Sequence, residues 1–432
     1  MFRFLYNLLF PIALVAVLPG YIAKLRRRGN YRHKFWQRFG IYDRDVTGRL
    51  AAGERVWLHA VSVGEVAVAL KLADKLRESD VRFRCVLTTT TTTGFAFANQ
   101  QAREWIEVMY NPIDWWPITR RAFRVIRPAK LVLVEAEVWP NLVAIARAQN
   151  IPIALVNARL SRRSEGRFLR FRFAVAPTFR CLDLVCVQEK ADVPRWAALG
   201  VERARIEVVG SVKYDPENAI DPTATAGGIL RAFGITAEQP ILLAGSTHAG
   251  EEELLAGVYR KLRHDFPTLV LILAARHVER TAAIRESLRP FELKIALRTE
   301  AGAPRAQPPN CILLNTTGEL RNWYAVATVV FIGKSLLGRG GQNPVEAILA
   351  GKPVIFGPHM ENFATLAAEL LKGGGAIQVQ DADSLTEEVT GLLRDERAPA
   401  RLTSAAANVI AAHAGATVRT ASLLMHLKPH RP

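Results

Sequence analysis

Short apolar runs rich in Val, Ile and Leu alternate along the chain with longer stretches whose apolar residues recur at helical spacing. In the first half the runs Glu54–Val61, Phe83–Thr88, Ile106–Met109, Leu131–Glu135, Ile153–Val156 and Leu184–Gln188 predict strands, and Val66–Ser79 predicts a helix after the first of them. A second series begins near Pro240, with strands expected at Ile241–Ala244, Leu269–Ala274, Cys311–Leu314, Thr328–Ile332, Pro353–Phe356 and Ala376–Val379. Runs that are apolar throughout suit strands buried on both faces, and the alternation with helices predicts an α/β protein with parallel, doubly wound sheets. The length of 432 residues suits two domains of about 200 residues each. The expected organisation is an N-terminal anchor and basic flank at 1–28, a Rossmann-like domain at 29–213, a linker at 214–239, a second Rossmann-like domain at 240–400 and an Ala-rich helical tail at 401–432 packing back on the first domain. Tandem doubly wound domains predict a ligand cleft between the carboxyl ends of both sheets.

Phe4 to Ala23 carries no charge, which is long enough for a helix across a bilayer core of about 30 Å, although Pro11, Pro19 and Gly20 interrupt it. Lys24, Arg26, Arg27 and Arg28 follow at once in place of a small-residue cleavage site, so the segment reads as an anchor that either spans the membrane or lies in its interface. The positive-inside rule then leaves the bulk of the chain in the cytoplasm. Fifty-seven Lys and Arg against 40 Asp and Glu give a net charge of +17, which points to an anionic partner. The charge gathers with aromatic residues at Lys24–Arg38 and again at Arg159–Arg180, where Phe168, Phe171, Phe173 and Phe179 are interleaved. That composition suits an anionic membrane surface or a phosphorylated acceptor, and the chain has no nucleic-acid motif. Cys85, Cys181, Cys186 and Cys311 form no C-x-x-C pair and read as reduced core residues.

The densest candidate chemistry is GKSLLGRGGQNPVEAILAGKPVIFGPHMENF at 333–363, directly after an apolar strand. Gly338, Gly340 and Gly341 permit a tight turn, and Asn343 at the N-cap, Pro344 at N1 and Glu346 at N3 open a helix. Free helix N–H groups with Lys334 and Arg339 suit a phosphate oxyanion, whereas the same residues also make an ordinary capped helix start. Ser246 and His248, and then Arg276 and His277, end two successive strands of the same half and add donors. In the first half Ser62-x-x-Glu65 is both a capping box and a carboxylate placed to take a proton from a hydroxyl. Glu135 and Glu137 end another strand at i, i+2 spacing, with Arg159 or Arg162 as expected counter-charges. Asp43-Arg44-Asp45 and Asp381-Ala382-Asp383 follow no apolar strand and read as solvated turns, so neither a metal site nor a cofactor is expected.

The blocks HAVSVGEV at 59–66, EAEVWPNL at 135–142, NARLS at 157–161, GSVKYD at 210–215, GSTHAGEEE at 245–253 and ARHVER at 275–280, with the glycine-rich stretch, closely resemble the 3-deoxy-D-manno-octulosonic acid (Kdo) transferases of lipopolysaccharide assembly. The resemblance spans nearly the whole chain. It implies a glycosyltransferase-B fold and inverting, metal-independent transfer of Kdo from CMP-Kdo to the lipid A precursor, lipid IVA, at the cytoplasmic face of the inner membrane. It implies Glu65 as general base, with Ser62, Gly64, Glu135, Glu137 and Arg159 positioning the acceptor or donor sugar. Ser246, Arg276, His277, Lys334, Gly340, Gly341, Asn343 and Glu346 become the CMP pocket. This chain departs from the family pattern at Ser211, Ala275, Lys334 and Gln342. Another membrane-associated nucleotide-sugar transferase or an epimerase of the same fold shares the glycine loop, and the number of Kdo residues added and the oligomeric state stay open.

Overall fold

A computed structural model describes residues 3–14, 20, 34–51, 53–136, 138–215 and 223–429. The chain forms two compact units, Met1–Asp215 together with His413–Pro432, and Pro216–Ala412. The first holds a seven-stranded sheet of β1 (Arg55–His59), β2 (Cys85–Thr89), β3 (Ile106–Tyr110), β4 (Pro128–Val134), β5 (Ile153–Ala158), β6 (Leu184–Val187) and β7 (Ile206–Val208), in the order β3-β2-β1-β4-β5-β6-β7. The second holds β8 (Ile241–Thr247), β9 (Val270–Ala275), β10 (Ile295–Leu297), β11 (Cys311–Leu313), β12 (Val329–Ile332), β13 (Val354–Phe356) and β14 (Ile377–Gln378), in the order β10-β11-β9-β8-β12-β13-β14. The recorded strand pairs are parallel.

Successive side chains of a strand point to opposite faces, so a sheet covered by helices on both sides needs apolar residues at every position. On β1, Trp57 packs into one core with Phe123 and Trp196, while Leu58 packs into the other with Val66 and Leu72. All six residues are fully buried or nearly so. The sequence reading misses β7 and β10. Each is three residues long; β7 carries Glu207 at its centre with only Ile206 buried, and β10, though apolar, is too short to stand out as a run.

The stretch read as a linker is only partly irregular. Thr223–Ala232 is a helix, and Phe233 and Ile235 behind it are buried. Gly227 and Gly228 in its middle hid the helical period. The tail expected as one segment is two helices, Ala398–Ala411 and Ala416–His426, separated by Gly415 in a left-handed conformation at φ 75°. The first of these stays with the second unit, where a β-carbon on Gly375 would lie 2.7 Å from Ala406 Cα.

The last helix joins the first unit and is gripped at both ends. The Asp215 carboxylate accepts the N–H groups of Gly415 and Thr417, each at 2.7 Å, at the positive end of the helix dipole. Lys130 Nζ donates to the carbonyls of Leu424 and Met425 at 2.6 and 2.8 Å at the negative end.

Among the described residues no helix is long and apolar enough to cross a membrane. Residues 3–14 are helical and bonded to the first unit through Tyr6 and Asn7. Residues 15–19 and 21–33, the rest of the expected anchor and most of its basic flank, lie outside the described residues. The two Arg/Phe helices that follow, Arg162–Arg170 and Arg172–Phe179, split their aromatic residues: Phe168 and Phe179 pack inward, whereas Phe171 and Phe173 are exposed.

Asp215 is 7 % exposed, so Asp215→Ala strands the buried Thr417 N–H and the partly buried Gly415 N–H. The substitution is expected to cost about 2 to 4 kcal/mol in urea denaturation of the full chain.

Candidate active site

Doubly wound sheets take ligands beyond the carboxyl ends of the strands where the winding reverses. That point lies between β1 and β4 in the first unit and between β8 and β12 in the second. Four non-glycine residues stand there or one strand away with left-handed backbone: Glu135 after β4, Asn157 in β5, Ser246 in β8 and Lys334 after β12, at φ 62°, 50°, 59° and 57°. Such backbone costs about 1 to 3 kcal/mol per residue and persists where the surroundings impose it, most often at functional sites.

At the first point β1 runs through Ala60 and Val61 into the helix Val63–Ser79, with Ser62 as N-cap. Ser62 Oγ accepts the Glu65 N–H at 3.3 Å and donates to Glu65 Oε1 at 2.8 Å. The Val61 N–H donates to Glu65 Oε2 at 2.9 Å. Glu65 is 7 % exposed, and burial raises its pKa above the ordinary carboxylate value. The Val61 N–H, the Ser62 hydroxyl and the Lys213 charge pull it down, and the Glu135 charge pushes it further up.

Glu135 is ion-paired with Lys213, a partner the sequence reading did not choose; it had named Arg159 and Arg162. The left-handed turn at Glu135 carries its side chain to the loop after β7, a placement that an i, i+2 strand argument cannot foresee. Glu137 lies outside the described residues, and Arg159 is half-buried just beyond β5. A β-carbon on Gly64 would sit 3.8 Å from Lys213 Nζ, ordinary van der Waals contact, so the ammonium lies against the helix start. Lys213 is set by its own loop: Asn157 Oδ1 accepts from Ser211 Oγ at 3.3 Å and from the Val212 N–H at 3.2 Å, and Lys71 Nζ donates to the Val212 carbonyl at 3.3 Å.

At the second point the organising group is Glu251, 1 % exposed, which the sequence reading did not single out. Its carboxylate accepts the N–H groups of His248 at 2.9 Å, Lys334 at 2.7 Å, Ser335 at 3.2 Å and Leu336 at 3.4 Å. One buried anion thus ties the loop after β8 to the loop after β12. Glu252, fully buried, accepts from Thr247 Oγ1 at 2.9 Å and from both Arg280 terminal nitrogens at 3.1 and 3.2 Å.

Around this frame His248 Nε2 meets Gln342 Nε2 at 3.2 Å, and the His248 and His277 rings stand edge to face with centroids 5.8 Å apart. Partial burial, and then the nearby Lys334 charge, hold His248 below the usual imidazole pKa. Arg276 and His277 are exposed where β9 ends, and Ser246 is half-buried. The second unit therefore collects Ser246, His248, Arg276, His277 and Lys334 at one set of loops.

The glycine loop differs from its sequence reading. The Gly340 N–H donates to the Glu361 carboxylate at 2.6 Å and the Gly341 N–H to the Lys334 carbonyl at 3.0 Å, so both amides are engaged within the protein. The glycines serve close approach instead: a β-carbon would come within 2.6 Å of Asn362 Nδ2 at Gly340 and within 2.4 Å of Met360 Sδ at Gly341. The following helix, Val345–Leu349, has only five residues, and its N-cap is Pro344 and not Asn343. Asn343 Oδ1 still accepts the Val345 N–H at 3.2 Å. Glu346 is exposed, and its charge adds to burial in raising the Tyr324 hydroxyl pKa. Among the described residues no group of three or more His, Cys, Asp or Glu is placed to hold a metal ion.

Two parallel sheets whose functional loops gather at the carboxyl ends are the construction of nucleotide-sugar enzymes of the glycosyltransferase-B type. Solved structures agree on the fold: a UDP-GlcNAc 2-epimerase from Neisseria meningitidis, bound to UDP-GlcNAc, matches with a TM-score of 0.58 over 86% of this chain and 100% of its own, at 12% identity. At that identity the likeness carries the fold alone. The family model described as 3-deoxy-D-manno-octulosonic-acid transferase (kdotransferase) matches residues 33–216. The 3-deoxy-D-manno-octulosonic acid transferase of Haemophilus influenzae is 30% identical over 433 residues, covering 100% of this chain and 99% of the relative. That of Bordetella pertussis is 34% identical over 396 residues, 90% of each. The chain belongs to the Kdo transferase family and is a glycosyltransferase.

Glu251→Ala releases four backbone amides from a carboxylate that water does not reach. Faster deuterium uptake at residues 334–336, by mass spectrometry of the intact protein, is the expected result, with a stability loss of about 3 kcal/mol. Unchanged exchange there would show that the carboxylate does not hold the loop.

Proposed function

We propose that this protein transfers Kdo from CMP-Kdo to a lipid A precursor such as lipid IVA, with inversion at the anomeric carbon and without a metal ion, at the cytoplasmic face of the inner membrane. The observation that carries the reading is Glu65: a buried carboxylate at the first switch point, kept basic by burial and flanked by Glu135 and Lys213. A base works best with a pKa near the working pH, and burial moves Glu65 in that direction.

In the proposed step a Glu65 oxygen takes the proton of the acceptor hydroxyl. The freed oxygen attacks the anomeric carbon of Kdo, and the bond from that carbon to the CMP phosphate oxygen breaks. The departing phosphate gains charge, and the Lys334, Arg276 and His277 donors of the second unit are the groups that stabilise it. Glu135, paired with Lys213, positions a sugar through its remaining lone pairs, with Ser62, Gly64 and Arg159 in the same unit. Asn343 and Glu346 serve the nucleotide, Glu346 as an acceptor for ribose hydroxyls. The glycine loop contributes shape, since Gly340 and Gly341 spend their amides on Glu361 and Lys334.

Mass spectrometry of lipid IVA incubated with the protein and CMP-Kdo is expected to show the mass gain of Kdo, and none with UDP-GlcNAc in its place. Glu65→Gln should fold, bind CMP and lose about 10²- to 10⁴-fold in turnover; near-normal turnover would remove Glu65 as the base.

The pH profile gives a sharper test. The ionised form of Glu65 is the active one, so activity falls as pH drops through its raised pKa, and the acid limb lies above the ordinary carboxylate range. Lys213→Met removes a charge that lowers this pKa and should move the limb to higher pH, whereas Glu135→Gln removes a charge that raises it and should move the limb to lower pH. Shifts of the same sign in both variants would contradict the assignment.

A further inference from the structure

The helix at 3–14 roofs a cavity of about 670 Å³ in the first unit, within the roughly 300 to 1,000 Å³ of ordinary ligand sites. Its walls are largely apolar, with Phe4, Trp115, Trp116, Pro140, Val143 and Pro177 among them. Arg3 is the charged residue of the lining, and its guanidinium stands 5.0 Å from the Trp116 ring centroid. From this cavity and its setting we infer that the site binds one acyl chain of an anionic membrane phospholipid, with the phosphate on Arg3. The inference rests on the membrane placement proposed above and does not involve the transfer chemistry.

The roof is fixed by partly buried polar bonds. Tyr6 donates to the Asp114 carboxylate at 3.2 Å, and the amides of Asn7 and Asn141 exchange two hydrogen bonds of 2.9 Å. Asn7 Oδ1 also accepts the Trp116 N–H at 3.0 Å. Asp114, 5 % exposed, accepts the N–H groups of Asn141 and Leu142 as well, at 3.0 and 2.8 Å. A helix held through this face must turn its other face outward.

That outer face is apolar. Phe4, Leu8 and Ile12 form one i, i+4 row, 74, 58 and 67 % exposed, with Leu5 and Leu9 beside it. Phe4 belongs to both the outer row and the cavity lining, so the row is continuous with the cavity. Pro177 and Thr178 carry the opposite wall into the helix pair whose Leu169, Phe171 and Phe173 are exposed.

An apolar helix face lying at the headgroup boundary, beside a slot with a cation and an aromatic pair, has the chemistry of an amphiphile site. A soluble anion would leave the apolar walls wet, and an apolar solute would leave Arg3 unpaired.

The test uses the full chain with vesicles of phosphatidylglycerol carrying dibrominated acyl chains, since bromine quenches tryptophan on contact and Trp115 and Trp116 line the slot. Matching brominated phosphatidylcholine vesicles and soluble glycerol phosphate serve as the other arms. Strong quenching by brominated phosphatidylglycerol is expected, with none by glycerol phosphate. Trp115→Phe/Trp116→Phe should remove most of it, and Ala144→Phe, which fills the cavity, should reduce it at unchanged vesicle binding. Arg3→Gln should cut the preference for phosphatidylglycerol over phosphatidylcholine about fivefold, the worth of one cation near an anionic surface. Full quenching in Ala144→Phe would place the chain on the outer row and overturn the inference, as would equal affinity of the unaltered protein for the two lipids. Kdo transfer to detergent-dispersed acceptor, measured in parallel, reports on the catalytic reading separately and shows that each variant is folded.

Discussion

Carboxylates taken out of water and repaid with backbone N–H bonds hold this structure at the places where its loops matter. An unpaired buried carboxylate is costly enough that it would protonate or stay at the surface. Each one that remains buried therefore fixes the groups that satisfy it. Glu251 binds two loops of the second unit into one piece, Asp215 seats the returning C-terminal helix, Asp114 anchors the N-terminal helix, and Glu65 closes the turn after β1.

Their electrostatic outcomes differ although the construction is shared. Burial raises Asp114 to about 6 and also raises Glu65, in both cases against the pull of donated hydrogen bonds. Asp114 has no cation in its bonding set, only backbone N–H groups and a tyrosine hydroxyl, which suits a purely structural group. Glu65 has a lysine and a second carboxylate within electrostatic reach, so its basicity is adjustable by two neighbours of opposite sign. The strained backbone at Glu135 is what brings the second carboxylate to that lysine.

Most strand positions were legible because a sheet buried on both faces leaves an unbroken apolar record. β4, β5, β8 and β12 all show it. β7 and β10 do not: a three-residue edge strand needs little length, and β7 also carries Glu207 at its centre. Glu65 and Ser62 were legible as a pair because helix capping is a local rule. Lys213 was not, because its meeting with Glu135 depends on a parallel crossover from β4 to the loop after β7, a separation of 78 residues. Glu251 was passed over for a related reason: acids in a first helical turn are ordinarily solvated, and nothing local shows that a loop more than 80 residues onward will deliver three amides to it. The glycine loop was over-read. Its glycines record tight packing against residues 359–362, and a glycine selected for space is spelled like one selected to free an amide.

Capping and catalysis at Glu65 are compatible on physical grounds. Each carboxylate oxygen offers two lone pairs, and the structure uses one on Oε1 for Ser62 and one on Oε2 for Val61. The remaining lone pairs stay available to a hydroxyl proton. The bonds in use fix the carboxylate's orientation before any acceptor arrives, so no ordering cost falls on the reactive encounter. Donors to a carboxylate also lower its basicity, and a fully bonded Glu65 at the surface would be a poor base. Burial acts in the opposite sense and prevails, which leaves a group both rigidly aimed and more basic than a free glutamate. A cap alone has no use for that second property, since an anion at a helix N-terminus is most stabilising when it stays ionised at low pH. Burial accounts for the raised pKa here as it does at Asp114, and it gives Glu65 a property that the proposed proton abstraction uses and capping does not.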